Sequence, residues 1–199
     1  GHPFQIQLSR ELGRRGHRVC HVYCGAFLTP HGALDRTPDD PPTLSIRGLA
    51  LGEMFDKHYL KRRRQDVCYG RLLAALISDL RPDVVISANA PLDSQRLALA
   101  ASRQVGAKFV FWMQDIYSVA IASILGQRLG WAGRLIGAYY TRLEARLVRE
   151  SDHLVVITDD FLHFVRRWGV SDSKTTVIPN WASTTEIPSL PKDNPWSVR

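Results

Sequence analysis

Asp83-Val84-Val85-Ile86-Ser87, then Asn89-Ala90-Pro91-Leu92-Asp93, then an Ala/Leu-rich segment closed by Gly106, then Lys108-Phe109-Val110-Phe111-Trp112: this stretch decides the fold. The two apolar runs are short and unbroken, the form of strands buried on both faces. Residues 94–105 between them have helical composition, and Gly106 is a natural stop. Two strands joined through a helix must run parallel, because a parallel pair needs a crossover of this length.

Working outward, the alternation continues. Upstream, Phe4, Ile6, Leu8 and Leu12 mark a short helix that stops at Gly16, and residues 18–23 read as a strand. An irregular stretch with Pro30, Pro38, Pro41 and Pro42 follows, then a short strand at Leu44 and Ile46. Residues 61–80 carry Leu72, Leu73, Leu76, Ile77 and Leu80 at helical spacing, and Arg81-Pro82 ends that helix. Downstream, residues 131–150 read as the longest helix, with Leu135, Ile136, Tyr139, Leu143 and Leu147 on one face. Residues 153–157 are a strand, 159–168 a short helix and 176–178 the last strand. Strands and helices in alternation give an α/β fold, a doubly wound Rossmann-like parallel sheet with right-handed connections.

The chain has 199 residues, 45% hydrophobic and 23% charged, which excludes disordered, collagen-like and disulfide-scaffold classes. Three cysteines, Cys20, Cys24 and Cys68, are too few for a disulfide framework and suit a reducing, cytoplasmic setting. The net charge is +7, and of 26 basic residues only five are Lys. Such a balance favours anionic neighbours without choosing among phosphates, lipid headgroups and nucleic acid. No stretch is long and apolar enough for a membrane span, and no secretory leader opens the chain. His17, Cys20, His21 and Cys24 have metal-like chemistry, but a strand points the two types to opposite faces, so no metal site is expected. G-x-G-x-x-G, Walker, G-x-S-x-G and H-E-x-x-H motifs are absent, which speaks against a dehydrogenase, an NTPase, an esterase or a zincin.

Ligands in open α/β sheets bind beyond the carboxyl ends of the strands. That rule nominates Asn89 after one strand, Gln114, Asp115 and Tyr117 after the next, and Asn180 after the last. Each has a plain reading as turn or cap chemistry, but polar residues at several strand ends point to a site. Asp115 directly follows an aromatic strand, where a carboxylate can orient a hydroxyl or take its proton. Two basic groups stand apart from these: Lys61-Arg62-Arg63-Arg64, and Arg142, Arg146 and Arg149 along the long helix near Trp131, Tyr139 and Tyr140. Either is a solvated helix face or a surface for an anionic membrane. No nucleic-acid reading module accompanies them, and a nucleic-acid partner is not expected.

Four places carry a family resemblance: Leu12-Gly13-Arg14-Arg15-Gly16-His17-Arg18-Val19, Arg81-Pro82-Asp83-Val84-Val85, the strand that runs from Phe109 into Asp115-Ile116-Tyr117, and Val177-Ile178-Pro179-Asn180-Trp181. Over essentially its whole length the chain resembles the N-terminal, acceptor-side domain of family 4 glycosyltransferases, one half of the two-domain GT-B architecture. It is most like the bacterial subgroup that builds colanic-acid-like exopolysaccharide and O-antigen chains. The resemblance implies transfer of a sugar, with retention and without a metal or cofactor, from a nucleotide-sugar donor to a glycan or polyprenyl-diphosphate-linked acceptor. It puts Gly1 near the donor phosphates, Gln114 and Asp115 at the reacting centre, Asn89 and Tyr117 along the substrate cleft, and Asn180 near the passage to a second domain. Many relatives have His where Gln114 stands, and Gln cannot serve as a general base. The resemblance further implies a fragment: residues 1–185 as the acceptor-side domain, 186–199 as a Pro-rich linker toward a donor-binding domain, and no transferase activity alone. Its setting would be cytoplasmic, peripheral on the inner face of the plasma membrane. The competing expectation is a non-catalytic module that docks on membrane or protein through its basic face.

Overall fold

A computed structural model describes residues 3–26, 34–52 and 58–181. The chain order is α1 (Pro3–Arg14), β1 (Val19–Cys24), β2 (Leu44–Leu49), α2 (Tyr59–Leu80), β3 (Val84–Ala88), α3 (Leu92–Val105), β4 (Lys108–Met113), α4 (Tyr117–Glu150), β5 (His153–Val156), α5 (Asp160–Arg167) and β6 (Thr175–Val177), with a 3-10 turn at Asp172–Lys174. Every strand pair is parallel. The expected single layer is instead two sheets among the described residues, β1-β2 and β3-β4-β5-β6. Among the described residues β1 and β3 are not hydrogen-bonded to each other, so each presents an unpaired edge.

The β4 sequence shows why helices cover both faces. Phe109, Phe111 and Met113 point one way and are fully buried with Leu154 and Val156 of β5, against Leu99 of α3, Leu147 and Val148 of α4 and Val165 of α5. Trp112 points the other way and meets Phe4 of α1 at 5.4 Å between ring centroids. At the amino-terminal edge of the sheet, Asp152 accepts the backbone N–H of Phe109 (2.9 Å) and pairs with Arg103 (3.0 Å) and Lys108 (3.2 Å). One carboxylate thereby ties the starts of β4 and β5 to the end of α3. In front of β2, Arg10 forms a buried ion pair with Asp40 at 2.6 Å, and its guanidinium holds that carboxyl below the usual carboxylate range.

α4 corrects the sequence reading most. The helix expected over 131–150 is its second arm, preceded by a first arm that begins at Tyr117, and the two form a hairpin. Gly130 takes φ 55° and ψ −127°, outside any helix and open to glycine alone. The arm before it (117–129) and the arm after it (131–150) therefore pack against each other. Gly133 and Gly137 make the closeness feasible. A Cβ on Gly133 would collide with the backbone carbonyl of Leu125, and one on Gly137 would lie 2.8 Å from Cα of Ala122. The inward face of the second arm is therefore Gly133, Gly137, Tyr140, Glu144 and Leu147. Of the apolar residues that share one face in the sequence, Leu143 and Leu147 are buried, but Leu135 and Tyr139 are exposed. Glu144, fully buried, closes the base of the hairpin. Its two oxygens accept the backbone N–H of Tyr117 and of Ser118, each at 3.0 Å. These are two of the donors that a helix N-terminus leaves free.

Gly137→Leu should destabilise by about 3 kcal/mol, because the nearest atoms are backbone and cannot yield. Gly126→Ala, where an added Cβ meets nothing within 4 Å, should instead stabilise by about 1 kcal/mol. Urea unfolding measures both. Glu144→Ala should cost about 3 kcal/mol, since it orphans two N–H groups. Burial raises the Glu144 carboxyl above its ordinary value of 4.5. In the window above that value the folded state keeps a proton that the unfolded state has lost, so this group's contribution falls as pH rises. The Glu144→Gln variant should therefore show a flatter decline of thermal midpoint with pH there than the parent.

Candidate functional site at the carboxyl edge of the sheet

The register places the strand ends. Ala88 pairs with Trp112, Met113 with Val156, and Val156 with Val177. Asn89, Gln114 and Thr158 thus leave the sheet at one edge, the edge where open parallel sheets bind ligands.

Asn89 stands at the end of β3 with φ 51°, a left-handed conformation that side chains rarely adopt. The loop is held from below: Gln95 donates from its Nε2 to the Ala90 carbonyl (2.9 Å) and accepts from Ser87 Oγ (3.2 Å). Asn89 Oδ1 is buried and has no partner among the described residues. It borders a cleft between the ends of β1 and β3, lined also by His21, Tyr23, Tyr69 and Pro91.

One strand over, Gln114 follows Met113. Its side chain is buried, and neither Oε1 nor Nε2 finds a partner among the described residues. Asp115 is exposed at the turn, and Ile116 leads into α4. Tyr117 is half-buried. Burial first, then the carboxylates of Asp115 and Glu144, push its phenol up to about 12, so it serves as a neutral hydroxyl. Glu144 fixes this loop from behind through the N–H groups of Tyr117 and Ser118.

A polar network that sequence reasoning missed adjoins these loops. Asp93, in the first turn of α3, is buried and accepts the Tyr140 hydroxyl at 2.7 Å. Arg63 of α2 lies 3.6 Å from the same carboxylate oxygen, and Tyr59 donates to Tyr140 at 3.5 Å. Burial above all, with the Tyr59 and Asp93 contacts, raises the Tyr140 pKa well above its ordinary value. The second oxygen of Asp93 has no partner among the described residues. Arg62 bonds Asp66 at 2.9 Å, and burial raises that carboxyl despite the arginine. Arg62 and Arg63 are thus engaged inward, whereas Lys61 and Arg64 are exposed. Arg142 is exposed, and Arg146 pairs with Glu150 at 2.6 Å. Arg63 also stands 5.7 Å from the ring of Tyr139, so α2 and α4, far apart in sequence, meet at this point.

Asn180 is exposed beyond β6, away from Asn89 in strand order. The chain then folds back: Trp181 stacks on Trp112 at 5.8 Å and donates to Gln7 at 3.0 Å. This turn carries Asn180 toward the β4 end. Gly1 and residues 182–199, including the expected linker, lie outside the described residues. His21 bonds Ser9 at 2.9 Å, and among the described residues no three His, Cys, Asp or Glu side chains gather as a metal site requires. No helix of the described residues is long and apolar enough to cross a membrane.

Glu144 did carry a readable signal, being the one acidic residue within the buried stripe of its helix. Asp93 carried none, since an acid in a first helical turn is ordinary capping.

The two edges of the sheet differ in kind. At the amino-terminal edge Asp152 is fully engaged. At the carboxyl edge Asn89, Asp93 and Gln114 hold buried polar atoms that the described residues leave unsatisfied, and such atoms are costly unless something bonds them. No curated protein matches the chain at a significant level. The family described as "Glycosyl transferase 4-like domain" matches residues 5–181, all three of these residues included. The chain therefore belongs to the glycosyl transferase 4-like family.

Proposed function

We propose that this chain is the acceptor-side half of a retaining glycosyltransferase of bacterial polysaccharide synthesis. In this reading it holds a glycan or polyprenyl-diphosphate-linked acceptor while a second domain, joined beyond residue 185, presents a nucleotide-sugar. The single observation that carries the proposal is the row of unsatisfied buried polar atoms along the carboxyl edge, at Asn89, Asp93 and Gln114. A sugar presents hydroxyls that both donate and accept, and an amide pair such as Asn89 and Gln114 is the matching surface.

The roles follow from the chemistry of each side chain. Gln114 binds a sugar hydroxyl but does not move its proton. Asp115, exposed beside it, orients the attacking hydroxyl and takes its proton as the bond to the anomeric carbon forms and the bond from that carbon to the nucleoside diphosphate breaks. Tyr117, kept neutral, is a hydrogen-bond partner. Asn180 lies toward the second domain. The nucleoside diphosphate leaves toward that domain, and the loss of its charge stabilisation is why the chain alone would be inactive.

The test is transfer of labelled sugar by the whole protein that carries this chain, supplied with membrane lipid extract as acceptor. Asp115→Ala should lower kcat/KM about a hundredfold, and Asn89→Ala and Gln114→Ala each about tenfold, with unchanged thermal midpoints. Undiminished transfer by the Asp115 variant would remove the assignment.

A further inference from the structure

The α4 hairpin leaves a surface that the candidate site does not use. Its register is set by three contacts: Glu144 with Tyr117 and Ser118 at the base, Gly137 with Ala122, and Gly133 with Leu125. The second arm must finish at the amino-terminal edge, where the Glu150 carbonyl meets Arg103. The hairpin therefore runs outward from the carboxyl edge, and its turn at Gly130 lies about 20 Å along the helix axis from the Glu144 junction.

The outer surface of that hairpin is apolar at the tip. Leu129, Trp131 and Leu135 are 50%, 77% and 63% exposed, and Ile124 is 52% exposed. Trp131 is the most exposed of the large hydrophobic residues in the described chain. Nothing in the fold requires it there. Arg128 and Arg134 flank the tip and make no ion pair among the described residues. From Trp131 one stripe continues through Leu135, Tyr139, Arg142, Arg146 and Arg149 at spacings that keep a single helix face. Between Tyr117 and Arg149 the helix carries five arginines and one acid, and that acid is the buried Glu144. The one exposed acid of the helix, Glu150 at its end, pairs with Arg146, and the hairpin tip carries no negative charge. The basic start of α2 joins it, through Arg63 beside Tyr139.

We propose that the tip of the α4 hairpin is a membrane-insertion element, which seats Leu129, Trp131 and Leu135 at the headgroup boundary of an anionic bilayer. Arg128, Arg134 and Arg142 meet lipid phosphates around it. Charge complementarity selects the occupant: a protein partner would need an acidic apolar groove, whereas an anionic leaflet supplies both apolar depth and diffuse negative charge. The apolar residues sit at the turn and the arginines behind it, the order in which a bilayer is entered. This assigns the contact to the hairpin tip. Of the basic residues expected to face a membrane, Arg62, Arg63 and Arg146 are engaged with Asp66, Asp93 and Glu150, whereas Lys61, Arg64 and Arg142 are exposed behind the tip. The inference rests on the lipid-linked acceptor reading only for its purpose, which is to hold the carboxyl-edge site toward the leaflet.

The test uses the whole protein and vesicles of phosphatidylcholine with or without about a third phosphatidylglycerol. Flotation should show binding to the anionic vesicles that weakens with salt. Arg128→Glu with Arg134→Glu should weaken it about thirtyfold, at an unchanged thermal midpoint. Brominated lipid should quench part of the tryptophan emission, and that part should vanish in Trp131→Phe. Three results would overturn the proposal: equal binding to neutral vesicles, binding without loss of quenching in Trp131→Phe, or tip-dependent self-association on a sizing column with no vesicle binding. No sugar donor or acceptor is needed, so failure here is distinct from failure of the transferase reading.

Discussion

The Glu144 carboxylate against the N-terminus of α4 is the contact on which the upper half of the molecule depends. Removing a carboxylate from water is costly, and the cost is offset because two backbone N–H groups at a helix N-terminus donate to its two oxygens. The pairing joins residues 26 and 27 positions apart. It determines where the first arm starts, and so where the loop of Gln114 and Asp115 ends. With that end fixed, the side chain of Gln114 has little freedom to search for a partner inside the protein. An amide left unsatisfied by a rigid loop is a different object from one in a mobile loop, which would turn to water. The first is preorganised for a ligand.

The same rigidity explains the asymmetry of the sheet. Around Asp152 the polar groups of three elements satisfy one another, and that edge contributes stability. The opposite edge holds buried amide and carboxylate atoms without partners among the described residues, and an asparagine in a left-handed conformation. Strain and unsatisfied polarity at one edge can persist only if the remaining packing over-determines the fold. The β4 side chains supply that: Phe109, Phe111 and Met113 are at or near zero exposure between three helices.

Much of this was legible in the sequence. The βαβ unit around residues 83–112 gave β3, α3 and β4 within one or two residues, because apolar runs of that length have few other uses. Asn89, Gln114 and Asp115 were legible as strand-end residues for the same reason. What could not be read were features whose meaning lies in a distant partner. Asp93 matters through Tyr140, 47 positions away. Gly126, Gly130, Gly133 and Gly137 repeat at nearly helical spacing, and nothing local distinguishes the one that turns the chain from the two that allow close packing. Leu135 and Tyr139 share an apolar face with Leu143 and Leu147 in the sequence, yet the glycines, not the largest apolar residues, dictate which side faces inward. The division of the sheet was hidden for a related reason: pairing is a property of neighbours, and a strand's own residues do not say who they are.

The displaced stripe has a consequence for how the surface is understood. Had Leu135 and Tyr139 been buried, the arginines of α4 would be an ordinary solvated face, with opposite charges nearby to neutralise them. With those residues outside, the exposed apolar surface and the unpaired positive charge belong to the same helix face, on the side of the molecule toward which the strand ends open. A soluble protein has no structural need for that coincidence. Burying the apolar tip in a protein neighbour would still leave Arg128 and Arg134 to be neutralised, and water alone would leave Trp131 uncovered. An anionic bilayer meets both conditions at once. The proposed seat also sets a direction: a chain held by the hairpin tip would turn its carboxyl edge, with Asn89, Gln114 and Asp115, toward that leaflet.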